Sequence, residues 1–326
     1  MNRAFRSVLV LALSVLAAPA PGAGPVDDLE ARLRAIAAES GGALGVKVVH
    51  LESGRSAGLD ESGRYPMASA YKLTIALAVL SEVDAGKRRL DDQVEVRPGE
   101  LRRTGSRVDP WTPGSRVAVG KLLERMLTES DNTGCDVLLR LLGGPRAVDA
   151  WLAAHGFPDV DVTWTELEMA AVESGVSPVP SPGTCDHACL DALVAKVPKA
   201  MRGKAERAFE SDPRNTASPA DVARLLVALR KGELLSPEST GTLLSTMRRN
   251  RTGDRRIRAL LPKGTPVEDK TGTIGRSAID VGLVGLPGGK GTLAVAVFVK
   301  GSTKGPDARE RAIAEAAKAA FDAFSR

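Results

Sequence analysis

Ser69 and Lys72 stand three residues apart in "YPMASAYKLTIAL" (65–77), an otherwise mostly apolar run. On a helix that spacing places both on one face. A serine hydroxyl is a poor nucleophile until a base takes its proton. A lysine held among apolar residues has its charged form disfavoured, so its pKa is expected to fall toward the range where it could be that base. A serine at a helix start also lies beside unpaired backbone N–H groups that can stabilise a developing oxyanion. Alone, the pair is a weak signal. A lysine can equally run its stem along apolar surface and hold its ammonium in water.

Other short patterns carry less. "GRSAG" (54–58) matches the G-x-S-x-G outline of a nucleophile elbow, but "LDESGRYP" follows it where a helix is required. It reads as a hairpin turn. "GGKGT" lacks the spacing and following helix of a phosphate loop, and also reads as a turn. The only histidines are His50, His155 and His187, and none has the setting of a Ser-His-Asp triad. A serine nucleophile here therefore calls for a base other than histidine.

Two tripeptides change the weight of Ser69 and Lys72. "TESDNTG" supplies Ser130-Asp131-Asn132 between two expected helices, and "EDKTGT" supplies Lys270-Thr271-Gly272 on an expected strand. In this order, S-x-x-K, S-D-N and K-T-G mark class A β-lactamases and penicillin-binding proteins. The chain resembles that superfamily over nearly all of its length, including "PMAS", "LLGG" and "IDVGLVGL". "TWTELEM" adds Glu166, where class A β-lactamases carry a deacylating glutamate. Its Glu-x-Glu-Met pattern is similar to a cephalosporinase-like subgroup. Most glutamates are only surface acids, so the weight of Glu166 comes from its company.

The resemblance implies a serine β-lactamase that opens the β-lactam amide through an acyl-enzyme on Ser69, and so antibiotic resistance. The N–H groups of Ser69 and Thr273 would form the oxyanion hole. Lys72, or Glu166 through a water, would take the serine proton, and Ser130 would pass a proton to the departing nitrogen. Lys270 and Thr271, with Gly272 beside them, would hold the substrate carboxylate. Asn132 would bond its acylamide, and Glu166 would activate the hydrolytic water. Asp131 reads as a tie between two helices. No metal or cofactor is implied, and the expected partner is a small-molecule β-lactam met by a monomer. The rivals are a D,D-peptidase, which has no role for Glu166, and a β-lactam sensor that stays acylated. Two departures bear on deacylation. Ala170 stands where many members have an asparagine, and the segment after the Glu166 loop is longer than usual.

The elements that must position these residues follow from pattern. "DDLEARLRAIAAES" (27–40) reads as a helix, "ALGVKVVHLE" as a strand, and "SGRSAG" as the turn into a second strand. From Ser69 to about residue 155 the chain reads as mostly helical. Residues 171–215 are rich in Ser, Pro and Gly, and read as a surface excursion with one short helix at "CLDALVAKVPKAM". "SPADVARLLVALRKG" and "SPESTGTLLSTMRR" each open with a capping serine and proline. "TPVEDKTGT", "SAIDVGLVGL" and "GTLAVAVFVK" read as successive antiparallel strands before a terminal helix. The fold class expected is α/β (α+β), β-lactamase/transpeptidase-like: an antiparallel sheet flanked by terminal helices, with an inserted all-α domain. The expected division is a leader at 1–23, an α/β domain from 24–66 and 216–326, and a helical domain at 67–215. The last includes the Glu166 loop and the 171–215 extension.

Composition sets outer bounds. A short basic stretch, the apolar "SVLVLALSVLAA" and "PAPGAG" read as a secretory signal peptide cut after Ala23. The run is too short for a membrane span. Export to the periplasm or medium is expected, without stable membrane insertion. Losing Arg3 and Arg6 would lower the formal charge from +5 to +3. The remaining charges are mixed and aromatics are few, which argues against a nucleic-acid partner. Of three cysteines, Cys185 and Cys189 can bridge and leave Cys135 free, or all can stay reduced. His187 between two thiols gives three donors with no second cluster, weak grounds for a metal site.

Overall fold

The structure is a computed structural model that describes the backbone from residue 25 to 326 and side chains from residue 28. The expected leader at 1–23 lies outside the described residues. A five-stranded sheet is built from both ends of the chain: β1 (Ala43–His50), β2 (Ser56–Leu59), β3 (Val267–Ile274), β4 (Ser277–Gly285) and β5 (Thr292–Lys300). The order is β2-β1-β5-β4-β3, with every neighbouring pair antiparallel. "GRSAG" forms the turn and start of β2, as a hairpin should.

Both faces of the sheet are covered, so β5 (TLAVAVFVK) shows little polar alternation. Val295, Val297 and Val299 face the terminal helices α1 (Pro25–Ser40) and α11 (Pro306–Phe324), where Leu29, Leu33, Ile313 and Phe321 complete a core. Ala294, Ala296 and Phe298 face the larger core on the other side. Small residues on α11, including Ala312, Ala316 and Ala319, let it approach closely.

Between the sheet halves run α2 (Lys72–Asp84), α3 (Val119–Thr128), α4 (Asn132–Leu142), α5 (Pro145–Ala154), α6 (Glu166–Glu173), α7 (His187–Lys196), α8 (Lys199–Glu210), α9 (Pro219–Arg230) and α10 (Pro237–Arg248). α9 packs on the sheet, whereas α10 touches α2, α3 and β3 together. Capping chemistry fixes several ends. Ser218 and Ser236 accept N–H bonds at the starts of α9 and α10, and Gly143 closes α4 at φ +93°.

Two expectations need correction. The stretch after α2 is less helical than its composition indicates, because short pairs form at Gln93–Glu95 with Arg116–Ala118 and at Arg103–Thr104 with Arg107–Val108. The 171–215 extension holds the end of α6 and two helices, α7 and α8, instead of one short helix. Pro198 is the hinge: it ends α7 and caps α8, since proline suits a helix start and cannot continue one. Phe209 then stacks on Trp164 with ring centroids 5.6 Å apart, fastening the extension beside the Glu166 segment.

Candidate active site

Ser69 lies on a single 3-10 turn, Ala68–Tyr71, that runs into α2. The turn opens under strain: Ala68 has φ +43°, a region that costs a non-glycine residue about 1–3 kcal/mol. β3 presses against it from the far side. A Cβ on Gly272 would sit 2.5 Å from the Met67 carbonyl and 3.1 Å from the Ala70 nitrogen, so only glycine fits there. K-T-G therefore meets S-x-x-K through backbone contact.

Lys72 is fully buried, yet richly partnered. Its Nζ donates to Ser69 Oγ (3.1 Å), to the Ser130 carbonyl (2.8 Å), to Ser130 Oγ (3.4 Å) and to Asn132 Oδ1. Glu166 Oε1 lies 3.0 Å away. Burial pushes the ammonium's pKa down, but the Glu166 carboxylate, with smaller help from other acidic neighbours, outweighs it and holds Lys72 above its ordinary value. This corrects the expectation of a depressed Lys72. The apolar run was legible in the sequence; a carboxylate far downstream was not part of that local reasoning.

The lowered lysine is Lys270. It too is fully buried, and Nζ donates to Ser130 Oγ (3.1 Å) and the Thr271 carbonyl (2.8 Å). Burial and the Lys72 charge bring its pKa to about 7. Ser130, at φ +59° between α3 and α4, thus accepts from two lysines and keeps its own hydroxyl hydrogen for another acceptor. Asn132 is oriented by its Nδ2 donation to the Arg103 carbonyl (2.7 Å), which leaves a second amide hydrogen. Asp131 caps α4 through the Gly134 N–H and receives Arg125 from α3 and Trp111 Nε1, a tie between helices.

Glu166 opens α6, and its side chain is largely buried. Thr165 and Glu168 form a capping box, with Thr165 Oγ1 accepting from the Glu168 N–H and Glu168 Oε2 from the Thr165 N–H. The second glutamate of Glu-x-Glu-Met is thus a cap, and Met169 and Leu167 are core. The segment before α6 is pinned by Asn215, whose Oδ1 accepts from the Thr163 and Trp164 N–H groups.

The expected catalytic residues Ser69, Ser130 and Glu166 converge on the Lys72 ammonium, and Lys270 joins them through Ser130. Thr271 reaches Thr252 Oγ1 at 2.5 Å, while Thr273 is exposed. Among the described residues no histidine bonds Ser69, and no cluster of three metal-binding side chains occurs. Cys185 and Cys189 form a disulfide, and Cys135 is buried and free.

Several contributors escaped the sequence reading. Arg256 donates to the Gly272 and Ile279 carbonyls (2.8 and 2.9 Å) and to Thr273 Oγ1 (2.6 Å), bringing a guanidinium behind the K-T-G strand. Arg258 pairs with Asp269 just before Lys270. Asp136 accepts the Glu166 N–H at 2.8 Å. The roles of Arg256, Arg258 and Asp136 depend on contacts distant in the chain.

A sheet joined to a helical region, with a serine, two buried lysines and a carboxylate between them, defines an active-site serine hydrolase. The comparisons specify it further. Residues 28–324 match the Beta-lactamase enzyme family, and the chain belongs to that family. It is 26% identical over 329 residues to Beta-lactamase VEB-1 of Pseudomonas aeruginosa, covering 98% of each chain. It is 30% identical over 267 residues to Extended-spectrum beta-lactamase PER-1 of the same organism, covering 79% of this chain and 75% of that one. A solved beta lactamase from Xanthomonas campestris pv. campestris superposes with TM-score 0.74 at 28% identity, over 92% of this chain and 98% of that one. The chain is a class A serine β-lactamase, acting through an acyl-enzyme.

Proposed function

We propose that Ser69 is the acylated nucleophile and Glu166 the residue that clears it, so that turnover is complete and the protein does not act as a slow-releasing binder. The carrying observation is the 3.0 Å approach of Glu166 Oε1 to a lysine that itself donates to Ser69. A Lys72 held charged has no lone pair to offer, so Glu166 acting through a water is the base for Ser69. Glu166 Oε1 is buried and, beyond its ion pair with Lys72, has no hydrogen-bond donor among the described residues, which leaves it acceptor capacity for that water.

After attack, the N–H groups of Ser69 and Thr273 receive the oxyanion. Ser130, its oxygen occupied by lysine donors, gives its hydrogen to the departing ring nitrogen, whose C–N bond breaks. The Lys72 ammonium returns a proton to Ser130 and recovers the Ser69 proton from Glu166, leaving Glu166 anionic again. Lys270, Thr271 and the Arg256 positive charge favour a substrate carboxylate, and Asn132 offers its free amide hydrogen to the acylamide. Glu166 then deprotonates water for attack on the ester. The Glu-x-Glu-Met loop and the likeness to an enzyme named as extended-spectrum support cephalosporins among the substrates. We assign the sheet part to 24–66 and 216–326 and the helical part to 67–215. We also assign an exported, monomeric state, the export supported by the basic–apolar–small order of residues 1–23. No helix among the described residues is long and apolar enough to cross a membrane.

The test is an intact-mass time course of the mature chain with a cephalosporin and a penicillin. The expected result is a Ser69 adduct that disappears as substrate is consumed. An adduct that outlasts the substrate would move the protein to the slow-releasing branch.

Lys270 carries a pH prediction. Its charge is present below about pH 7 and lost above it in the free enzyme. Binding of an anionic substrate should weaken as the charge is lost, so kcat/KM should fall as pH rises through that value. The bound carboxylate stabilises the ammonium, so kcat should fall at higher pH than kcat/KM. A kcat/KM profile flat to about pH 9 would remove Lys270 as a titrating carboxylate ligand.

A further inference from the structure

A continuous run of buried polar contacts leads from the extension to Glu166. The Glu166 N–H donates to Asp136 Oδ1 (2.8 Å), and Asp136 Oδ2 accepts from Arg102 Nε (2.7 Å). Arg102 Nη1 donates to the Cys185 carbonyl (2.7 Å) and the Leu101 carbonyl (3.1 Å). Arg102, Asp136 and Cys185 are all buried. Cys185 is bridged to Cys189, and Asp186 closes the same turn by accepting the Cys189 N–H at 2.8 Å. The His187 N–H donates to the Leu101 carbonyl at 2.8 Å, so the turn is tied both to the Arg102 guanidinium and to the backbone just before it.

We propose that Arg102 is a positioning residue for Glu166, and that the disulfide-closed turn 185–189 holds Arg102 in place, so that the extension sets the deacylation geometry. The proposal rests on the reading of Glu166 as the deacylating base. Its physical basis is the cost of burying charge. Asp136 can present an anionic oxygen to the Glu166 N–H only while a cation lies against its other oxygen. Arg102 is that cation. A buried guanidinium in turn needs acceptors for its remaining donors, and the Cys185 carbonyl is one. Nη2 of Arg102 has no partner among the described residues, so the loss of the Cys185 carbonyl would leave a second nitrogen short of acceptors. Residues 174–184 form no helix or strand, and the covalent bridge limits how far that carbonyl can swing. The N–H that Asp136 holds is Glu166's own, and a displacement of about 1 Å at a catalytic group can cost about 100-fold in rate.

The test compares acylation and deacylation of the full mature chain by intact mass with a cephalosporin. Arg102→Gln is expected to deacylate about 10- to 100-fold more slowly and to acylate with a smaller loss, because a displaced Glu166 also holds the Lys72 charge less strongly and opens a lysine route to acylation. Its adduct should accumulate, and kcat should fall by a larger factor than kcat/KM, so that KM falls too. Arg102→Lys should restore part of the deacylation rate, because it returns the charge without the planar fork of donors. The double variant Cys185→Ser/Cys189→Ser keeps Arg102 and Asp136 and should shift deacylation in the same direction by a smaller factor. Wild type treated with reductant should match it, since Cys189 is exposed. Should Arg102→Gln fail to fold, the cysteine pair decides alone, and unchanged deacylation there would overturn the proposal. Equal losses of acylation and deacylation would also overturn it, as a general structural effect. A wild-type adduct that persists would overturn the Glu166 reading and this proposal with it. A wild type that clears beside an Arg102→Gln that clears equally fast would overturn the positioning role alone.

Discussion

Changing Ser69 to alanine is expected to lower kcat for cephalosporin hydrolysis by about a million-fold, the order seen when a catalytic serine is removed. The neighbouring candidates cannot replace it. Lys72 is held charged by Glu166, and Ser130 Oγ receives two lysine donors, so neither is an activated nucleophile. The fold should survive the change. Ser69 is only partly buried, and Lys72 keeps the Ser130 carbonyl, Ser130 Oγ, Asn132 Oδ1 and Glu166 as partners. Steady-state hydrolysis and intact mass check this together. A covalent adduct on the alanine variant would place the nucleophile elsewhere.

Glu166→Gln should separate the two half-reactions. Deacylation is expected to slow by about 100- to 10,000-fold, the usual worth of a general base, and the Ser69 adduct should persist after substrate is gone. Acylation has a second route in this variant. Glu166 is the largest influence holding the Lys72 pKa up against burial, so removing its charge lets burial act and frees neutral lysine as a base. Neutral Lys72 grows as pH rises, so acylation of the glutamine variant at saturating substrate, where the bound carboxylate keeps Lys270 charged, should accelerate with pH. Stopped-flow acylation rates across roughly pH 6 to 9 measure it. A rate independent of pH would exclude Lys72 as the alternative base, and an adduct that clears at the wild-type rate would remove Glu166 from deacylation.

What the sequence determined by itself was the chemistry and most of the frame. Ser69-x-x-Lys72, Ser130-Asp131-Asn132 and Lys270-Thr271-Gly272 were legible because their roles require particular residue types at short fixed spacings. The strands at the chain's end and the serine-capped helices were legible because alternation and capping act over a few residues. Only the tertiary structure decided the charge states. Local pattern points to Lys72 as the depressed lysine, yet Glu166 lies against Lys72, while Lys270 meets burial and the repulsion of Lys72. The support of Glu166 was equally hidden. Asp136, Arg102 and Cys185 sit on a helix, a loop and an extension far apart in the chain, and each alone reads as an ordinary polar or structural residue. Electrostatic energies depend on distance through space and on burial, and neither is fixed until the chain has folded.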